Sequence, residues 1–441
     1  MTDSQETSKN APRGEILAWA MYDVANSTYG TVVATAVYNA FFVHVIAGPE
    51  SGLPAGAGTL LLSVVICLSS LAVVVTAPII GTICDATAGK KKMLFLCTSA
   101  CVLGTALLGQ TGPGTVVAAM LILGLSNVVF GTGEDLVAAF LPELATKKDM
   151  GRVSSLGWAA GYVGGLFSLG GAFAYVHWAM RHGQTSTEYV PVVMRFCAIY
   201  FAVAVTPTFL FLKERAVPDP HLKDKNPVAV GFDRLKTTLT HVQHYKDLFN
   251  FLICLFFYNC GTMTVIHLAS VYAQEVIKFT PQDSITMILV VNVTAAIGAA
   301  VFGFVQDKVG AVRTLVITLT IWTIAIVCAA AAQNKVHLWI AANLVGIAMG
   351  ATGSVGRALV AQFAPRERSG EFLGLWGVAV KLATAFGALS FGAVSMLTHN
   401  NYRFAILSTG VYFILGMLML SRVNEQRGIA AAREPLPESG G

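Results

Sequence analysis

Charged residues are scarce in this sequence, at 12% of its 441 residues, about half the fraction usual in soluble proteins. So few charges cannot cover a water-soluble protein of this size, which excludes the roughly three soluble domains that the length would suggest. The hydrophobic fraction is 55% and the mean hydropathy is +0.66. The composition therefore predicts one polytopic membrane body, and the 42 glycines suit helices that pack closely in lipid.

Several functional signatures are also missing. The eight cysteines lie within or beside apolar stretches without zinc-site spacing, so we expect small buried hydrophobic residues. The sequence shows no phosphate-binding loop, metalloprotease motif or nucleophile constellation, and the polar N-terminus lacks the apolar region of a signal peptide. We therefore expect no enzyme activity, metal or cofactor. The net charge of +5 is interpreted as a topology signal rather than as a nucleic-acid site.

Twelve apolar stretches are long enough to cross a bilayer as helices, for which about 20 residues are needed. They are continuous rather than alternating, which favours helices over a barrel. The predicted spans cover about 19–46, 59–84, 93–111, 114–139, 153–176, 191–212, 248–275, 283–306, 312–332, 336–362, 370–396 and 401–421.

The distribution of lysine and arginine predicts the orientation. If the N-terminus is cytoplasmic, 22 of the 29 basic residues fall in cytoplasmic segments and four fall on the opposite side. This asymmetry supports a cell-membrane protein with both termini in the cytoplasm. The predicted organisation is a tail (1–18), a six-helix bundle (19–212), a cytoplasmic linker (213–247), a second six-helix bundle (248–421) and a C-terminal tail (422–441).

The two halves repeat each other. Gly81–Asp85 (GTICD) recurs as Gly303–Asp307 (GFVQD), and Leu136–Pro142 (LVAAFLP) recurs as Leu359–Pro365 (LVAQFAP), at offsets of 222 and 223 residues. Parallel six-helix repeats are the architecture of major facilitator transporters. The predicted fold class is therefore an all-α membrane protein with 12 transmembrane helices in two parallel repeats.

Two loops resemble the Gly-x-x-x-Asp-x-x-Gly motif of that superfamily. The second copy carries Gly303, Asp307 and Gly310, whereas in the first copy, with Gly81 and Asp85, the second glycine comes one residue late. We interpret these five residues as conformational-switch positions at which glycine lets two helices pack closely. The alternative is an ordinary charged loop between helices.

A closer resemblance is carried by motifs spread over nearly the whole membrane body. The chain resembles the UMF1 / Atg22-like branch of the major facilitator superfamily. The motifs are Trp19–Ser27 (WAMYDVANS), Phe140–Glu143 (FLPE), Gly157–Gly165 (GWAAGYVGG), Ser354–Arg357 (SVGR) and Gly370–Leu375 (GEFLGL). Tyr258–Gly261 (YNCG) resembles a motif that usually has aspartate where this chain has Cys260.

The resemblance implies that spans 1, 4, 7 and 10 line a central cavity. Most ionisable residues inside the predicted spans fall on those helices, where an uncompensated charge costs about 2.5–3.5 kcal/mol. The candidate substrate-binding or gating residues are Tyr22, Asp23, Asn26, Glu134, Asn259, Arg357 and Lys381. The candidate proton carriers are Asp23, Glu134, Asp135 and His267.

Each candidate also has a structural alternative. Arg357 and Glu134 occupy equivalent repeat positions, eight residues before Pro365 and Pro142, and could clamp a substrate or form a permanent ion pair. Lys381 could meet a substrate carboxylate or extend towards the membrane surface. His267 could relay protons or be an ordinary satisfied polar residue.

The sequence thus predicts a secondary active transporter for a small polar organic solute, with an amino acid as one candidate. It would work by alternating access as a monomer in the lipid bilayer, and proton coupling is left open. Export of a drug, siderophore or other metabolite is the main alternative. A membrane scaffold or receptor that does not transport is the third hypothesis.

Overall fold

The computed structural model describes residues 10–54, 56–145, 149–218, 225–364 and 369–432. Within this part of the chain, 12 helices are long and apolar enough to cross a membrane, which confirms the predicted fold class. Pro365 and both extreme termini lie outside the described residues. The side chain of Asp307 lies outside them as well.

The helices follow one another with short connections, except after span 6. Span 1 starts as an α-helix (Arg13–Thr28), continues as a π-helix (Tyr29–Ala36) and one α-helical turn (Tyr38–Phe41), and ends as a second π-helix (Phe42–Ile46). Spans 2 to 6 are Ala57–Thr87, Lys90–Leu108, Val116–Ala138, Met150–Arg181 and Ser186–Phe211. Spans 7 to 12 are Lys246–Ile277, Pro281–Val309, Ala311–Ala331, Lys335–Phe363, Ser369–Leu397 and Tyr402–Leu420.

Shorter helices connect or follow the spans. A helix of 18 residues, Pro227–His244, lies between spans 6 and 7 and is called the linker helix below. One turn of helix, Leu141–Leu144, follows span 4, and a final helix, Glu425–Ala431, follows span 12. The sequence predicted a solvated linker over 213–247, and the linker helix within it was not foreseen.

Polar side chains begin several of these helices. Asn334 accepts a hydrogen bond from the His337 amide at the start of span 10, and Asn401 accepts one from the Phe404 amide at the start of span 12. Thr185 and Glu188 form a capping box at the start of span 6. These contacts satisfy backbone amides that have no partner within the helix.

The chain forms two compact units. The first comprises Met1–Phe232, His267–Gln274 and Lys278–Leu289, and the second comprises Asp233–Ile266, Glu275–Ile277 and Val290–Gly441. The first unit therefore contains spans 1 to 6 with short pieces of spans 7 and 8. The second unit contains most of spans 7 to 12.

Large apolar side chains are both buried and exposed, as expected for a body that lipid surrounds. Buried examples include Tyr22, Tyr29 and Trp322. Exposed examples include Leu121 and Phe167, which lie on helices long enough to cross a membrane. Seven of the eight cysteines are buried, which confirms the role predicted for those seven.

Candidate functional site

In the first unit, span 1 reaches span 4 through Tyr22. Tyr22 is buried, and its hydroxyl lies so close to Gly133 that a Cβ there would clash with it. Glu134 follows directly and is half-buried, whereas Asp135 is exposed. Two of the predicted site residues, Tyr22 and Glu134, are therefore brought to one place.

The second unit repeats this arrangement with the opposite charge. Tyr258 of span 7 is buried, and a Cβ on Gly356 of span 10 would lie 2.5 Å from its hydroxyl oxygen. Arg357 follows Gly356, as Glu134 follows Gly133. The Arg357 guanidinium lies over the ring of Trp376 in span 11, 4.9 Å from the ring centroid, which is within the range of a cation–π interaction.

Each unit also contains its own copy of a second close contact between helices. A Cβ on Gly164 of span 5 would lie 2.5 Å from the Val24 carbonyl oxygen of span 1. A Cβ on Gly387 of span 11 would likewise clash with the Cys260 carbonyl oxygen of span 7. Val24 follows Asp23, and Cys260 follows Asn259. Asp23 and Asn259 are therefore structural equivalents, one acidic and one neutral.

The predicted residues of span 1 face different neighbours. Asp23 is half-buried, and its Oδ2 atom lies against Gly157 of span 5. Asn26 lies one turn after Tyr22 on the same side of the helix and is buried. Its Oδ1 atom accepts no hydrogen bond from the described residues. The amide of Asn259, by contrast, donates to the Leu255 carbonyl at 3.0 Å.

The π-helical part of span 1 brings in His267, which is half-buried. A π-helix shifts the hydrogen-bond ladder by one residue, and such segments are frequent at functional sites. His267 Nδ1 lies 3.4 Å from the Ala34 carbonyl oxygen. Ser270 donates to the Ala36 carbonyl at 2.8 Å.

Asn39, just after the π-helix, completes this cluster. Its side-chain amide donates to the Ala34 carbonyl at 2.6 Å and to the His267 carbonyl at 3.1 Å. The sequence pointed to His267 but did not predict that Asn39 and Ser270 belong with it. The only available signals were Gly30 and a run of β-branched residues, both of which weaken regular α-helix.

The remaining predicted positions are more scattered. Lys381 is half-buried in span 11, and Asp85 is half-buried near the end of span 2. Among the described residues, no atom lies within 4 Å of a Cβ built on Gly81 or Gly303, so the close helix contact expected at these two glycines is not seen.

Close approach occurs instead at the second glycine of the motif. Gly310 has φ +89°, and a Cβ there would lie 2.9 Å from Glu425 Oε2. The equivalent residue of the first copy is Ala88, which adopts φ +48° although it is not glycine. The late glycine of the first copy, Gly89, has an ordinary negative φ of −114°.

Two glutamates cap equivalent helices. Glu214 accepts hydrogen bonds from the amides of Lys90 (2.6 Å) and Lys91 (3.1 Å) at the start of span 3. Glu425 accepts from the amides of Ala311 (3.1 Å) and Val312 (3.0 Å) at the start of span 9. Neither glutamate was among the predicted site residues.

Each cap lies beside an arginine that pairs with the first turn of span 1 or span 7. Arg215 makes two hydrogen bonds of 2.7 Å with Glu15, and this pairing raises the pKa of the guanidinium above its usual value. Arg427 pairs with Asp247 at 2.6 and 2.7 Å. The sequence repeat therefore extends to a shared bracing pattern at the helix ends.

The chain is similar to known membrane transporters in sequence. A model of the family described as "Vacuole effluxer Atg22 like" matches residues 61–433. The uncharacterized MFS-type transporter YxiO of Bacillus subtilis is 27% identical over 415 residues, covering 93% of this chain and 94% of that protein. Autophagy-related protein 22 of Kluyveromyces lactis is 21% identical over 386 residues, covering 80% and 76%.

Solved transporter structures share the fold. The nucleoside transporter NupG aligns with a TM-score of 0.66 at 14% identity, covering 93% of this chain and 98% of that chain. A D-xylose-proton symporter aligns with a TM-score of 0.67 at 16% identity, covering 94% and 98%. A bacterial homologue of the human lysosomal transporter Spinster gives 0.68 at 13% identity, covering 96% and 98%.

Proposed function

Because the chain belongs to the Atg22-like family and has the major facilitator fold, we propose that this membrane transporter carries a zwitterionic solute of the amino-acid class. In this proposal it works as a secondary active transporter by alternating access between its two six-helix bundles, 19–212 and 248–421. It functions as a monomer, with the small solute as its partner.

One observation carries the proposal: equivalent positions of the two units hold opposite charges. Glu134 and Arg357 each follow a glycine that contacts a buried tyrosine, Tyr22 or Tyr258. A carboxylate suits an ammonium group, and a guanidinium can hold a carboxylate through two parallel hydrogen bonds. An amino acid offers both of these groups.

Other candidates add polar contacts. Trp376 holds the Arg357 guanidinium by its ring face, which limits the conformations of a long side chain. Asn26 keeps a buried carbonyl oxygen that accepts no hydrogen bond from the described residues. A buried unsatisfied oxygen costs about 1–3 kcal/mol, so a substrate ammonium or hydroxyl that donates to it would gain affinity. Asp23, Asn259 and Lys381 complete the proposed binding or gating set.

Proton coupling would use carboxylates or the histidine of the first unit. The proposed carriers are Asp23, Glu134, Asp135 and His267. Neutralising the true carrier should abolish accumulation against a gradient while sparing exchange. If all four variants still accumulate substrate against a gradient, the coupling residue lies elsewhere or transport is coupled to another ion.

The proposed location is the cell membrane with both termini in the cytoplasm, because the basic residues are distributed 22 to 4. A cysteine introduced at Glu50 should react with an impermeant reagent in intact cells, and one introduced at Val217 should not. The opposite labelling pattern would reverse the orientation.

The substrate class is tested by ligand-induced thermal shift and proteoliposome uptake with amino acids, organic acids, nucleosides and siderophores. We expect stabilisation by an amino acid and at least a tenfold weaker affinity in Arg357→Lys, because lysine cannot reproduce the two-bond fork. The matched control is Arg403→Lys, since Arg403 Nη1 donates to the Ala330 carbonyl near the end of span 9.

A double-mutant cycle separates the clamp from a brace. If Arg357→Lys binds normally and Glu134→Ala restores the expression lost in Arg357→Ala, the two residues form a structural pair and the clamp is refuted. A siderophore or drug as the only ligand would favour the exporter alternative.

A further inference from the structure

The linker helix has one exposed side that the transport proposal does not use. Val228, Phe232 and Leu239 are 44%, 41% and 44% exposed. At about 100° per residue, these three side chains fall within an arc of about 40° and form one stripe, called the apolar stripe below. Gly231 and Val242 on an adjoining side are buried.

Exposed lysines lie beside the apolar stripe on the helix and next to both ends of the helix in the chain. Lys236 lies about 40° from Phe232 around the helix, and Lys225 and Lys246 flank its two ends; all three lysines are exposed. Between residues 225 and 246 the sequence holds four Lys or Arg residues and a single acidic residue besides the histidines. A partner that fits this surface therefore has an apolar part that contacts the stripe and negatively charged groups that contact the lysines.

The position of the helix along span 2 indicates which partner that is. A Cβ on Gly231 would lie 2.6 Å from the Pro78 carbonyl oxygen, so the helix rests against the backbone of span 2. Pro78 is nine residues before the end of that span at Thr87, or about 14 Å along its axis.

The length of span 2 places Pro78 relative to the bilayer. Span 2 has 31 residues and is about 46 Å long, so when it lies upright it extends about 16 Å beyond a hydrocarbon core of about 30 Å. If at least half of this excess lies at the Thr87 end of the span, Pro78 falls within about 6 Å of the hydrocarbon boundary. That is the depth at which interfacial helices lie.

We propose that the linker helix is an interfacial anchor whose apolar stripe enters the headgroup region and whose lysines bind anionic phospholipids. Apolar burial supplies the insertion, and each lysine near an anionic surface contributes about fivefold in binding. The site is independent of the transported substrate, because it rests only on the membrane-embedded fold.

Amide hydrogen exchange of the full-length protein in nanodiscs tests the anchor. Exchange in the linker helix should be at least fivefold slower with 30% phosphatidylglycerol than with phosphatidylcholine alone, and high salt should remove the difference. Lys236→Gln should reduce the protection about fivefold, and Phe232→Glu should abolish it. Thr237→Glu is the matched control, since Thr237 is exposed on the far side of the helix.

Two results would overturn the proposal. Equal exchange in both lipid compositions at low salt would exclude recognition of anionic lipid and leave the apolar stripe to a protein partner. Equal loss of protection in Thr237→Glu and Phe232→Glu would show that any added charge disturbs the helix. Lys236→Gln retains the apolar stripe, so it reports on lipid binding even if Phe232→Glu does not fold.

Discussion

Span 4 of the first unit and span 10 of the second occupy the same repeat position but pack by different means. Span 4 offers side chains: Asn127 accepts a hydrogen bond from the Tyr29 hydroxyl at 2.8 Å, and Phe130 packs on the Tyr29 ring with centroids 4.7 Å apart. Span 10 has glycine at both equivalent positions, Gly350 and Gly353.

The glycines of span 10 allow contact between backbones. A Cβ on Gly350 would clash with the Ala295 carbonyl oxygen of span 8, and a Cβ on Gly346 would clash with the Thr294 hydroxyl. A Cβ on Gly298 of span 8 would meet the Ile347 carbonyl oxygen of span 10 in the same way. The same position of the repeat can therefore be packed against its neighbours in two ways. One is close contact between backbones, and the other is a hydrogen bond with aromatic packing; both join helices in lipid.

The largest expected effect comes from filling the close contact. Gly350→Leu should lower the free energy of unfolding by about 1–3 kcal/mol, because the side chain would displace span 8 and overpacking outweighs the gain in helix propensity. Gly353→Leu is the control on the same helix, since no atom of the described residues lies within 4 Å of its Cβ position.

The equivalent change in the first unit should cost less. Asn127→Leu removes the hydrogen bond from Tyr29 without a backbone clash, a loss of about 0.6 kcal/mol for such bonds within membranes. Reversible unfolding in mixed micelles would measure all three variants. A larger loss for Gly353→Leu than for Gly350→Leu would contradict the backbone contact.

The next effect concerns the left-handed backbone at the start of spans 3 and 9. Gly310→Ala should destabilise the protein by about 1–2 kcal/mol, because alanine is strained at φ +89°. Ala88→Gly should instead stabilise it by about 0.5–1 kcal/mol, because Ala88 adopts the left-handed αL conformation at φ 48° and ψ 46°, which glycine adopts without strain. The same unfolding assay compares them, and opposite signs are the expected result. Equal destabilisation by both changes would refute this account.

The smallest effect concerns the two helix caps. Glu214→Gln and Glu425→Gln should each cost about 0.3–1 kcal/mol, because an amide keeps one acceptor but loses the charge that favours a helix N-terminus. Glu50→Gln serves as an exposed control. High salt should reduce the cost of both cap variants, and a loss unaffected by salt would indicate packing rather than charge.

The fold was predictable from the sequence because the bilayer imposes a simple rule. Long apolar runs must form helices that satisfy their own backbone groups, so the 12 spans followed from hydropathy and the two repeats from matched motifs. At Gly81 and Gly303 no described atom lies within 4 Å of a built Cβ, and the predicted role of these glycines as conformational-switch positions stays a prediction.

The candidate site was only partly predictable. The sequence singled out Tyr22, Glu134 and Arg357, and the structure brings the first two together through Gly133. It also adds Trp376 to Arg357. The cluster of Asn39, His267 and Ser270 could not be foreseen, because it depends on a π-helix that shifts the carbonyls of span 1.

The sequence by itself determined that this chain is an all-helical membrane protein built from two repeats, because hydropathy and spacing are local properties of a chain in lipid. Tertiary structure alone decided where equivalent residues differ. Ala88 and Gly310 both have positive φ but different ψ, 46° and 160°. Gly350 touches a backbone where Asn127 binds a tyrosine. These outcomes depend on distances between helices far apart in sequence, and each is set by the packing of all neighbours together.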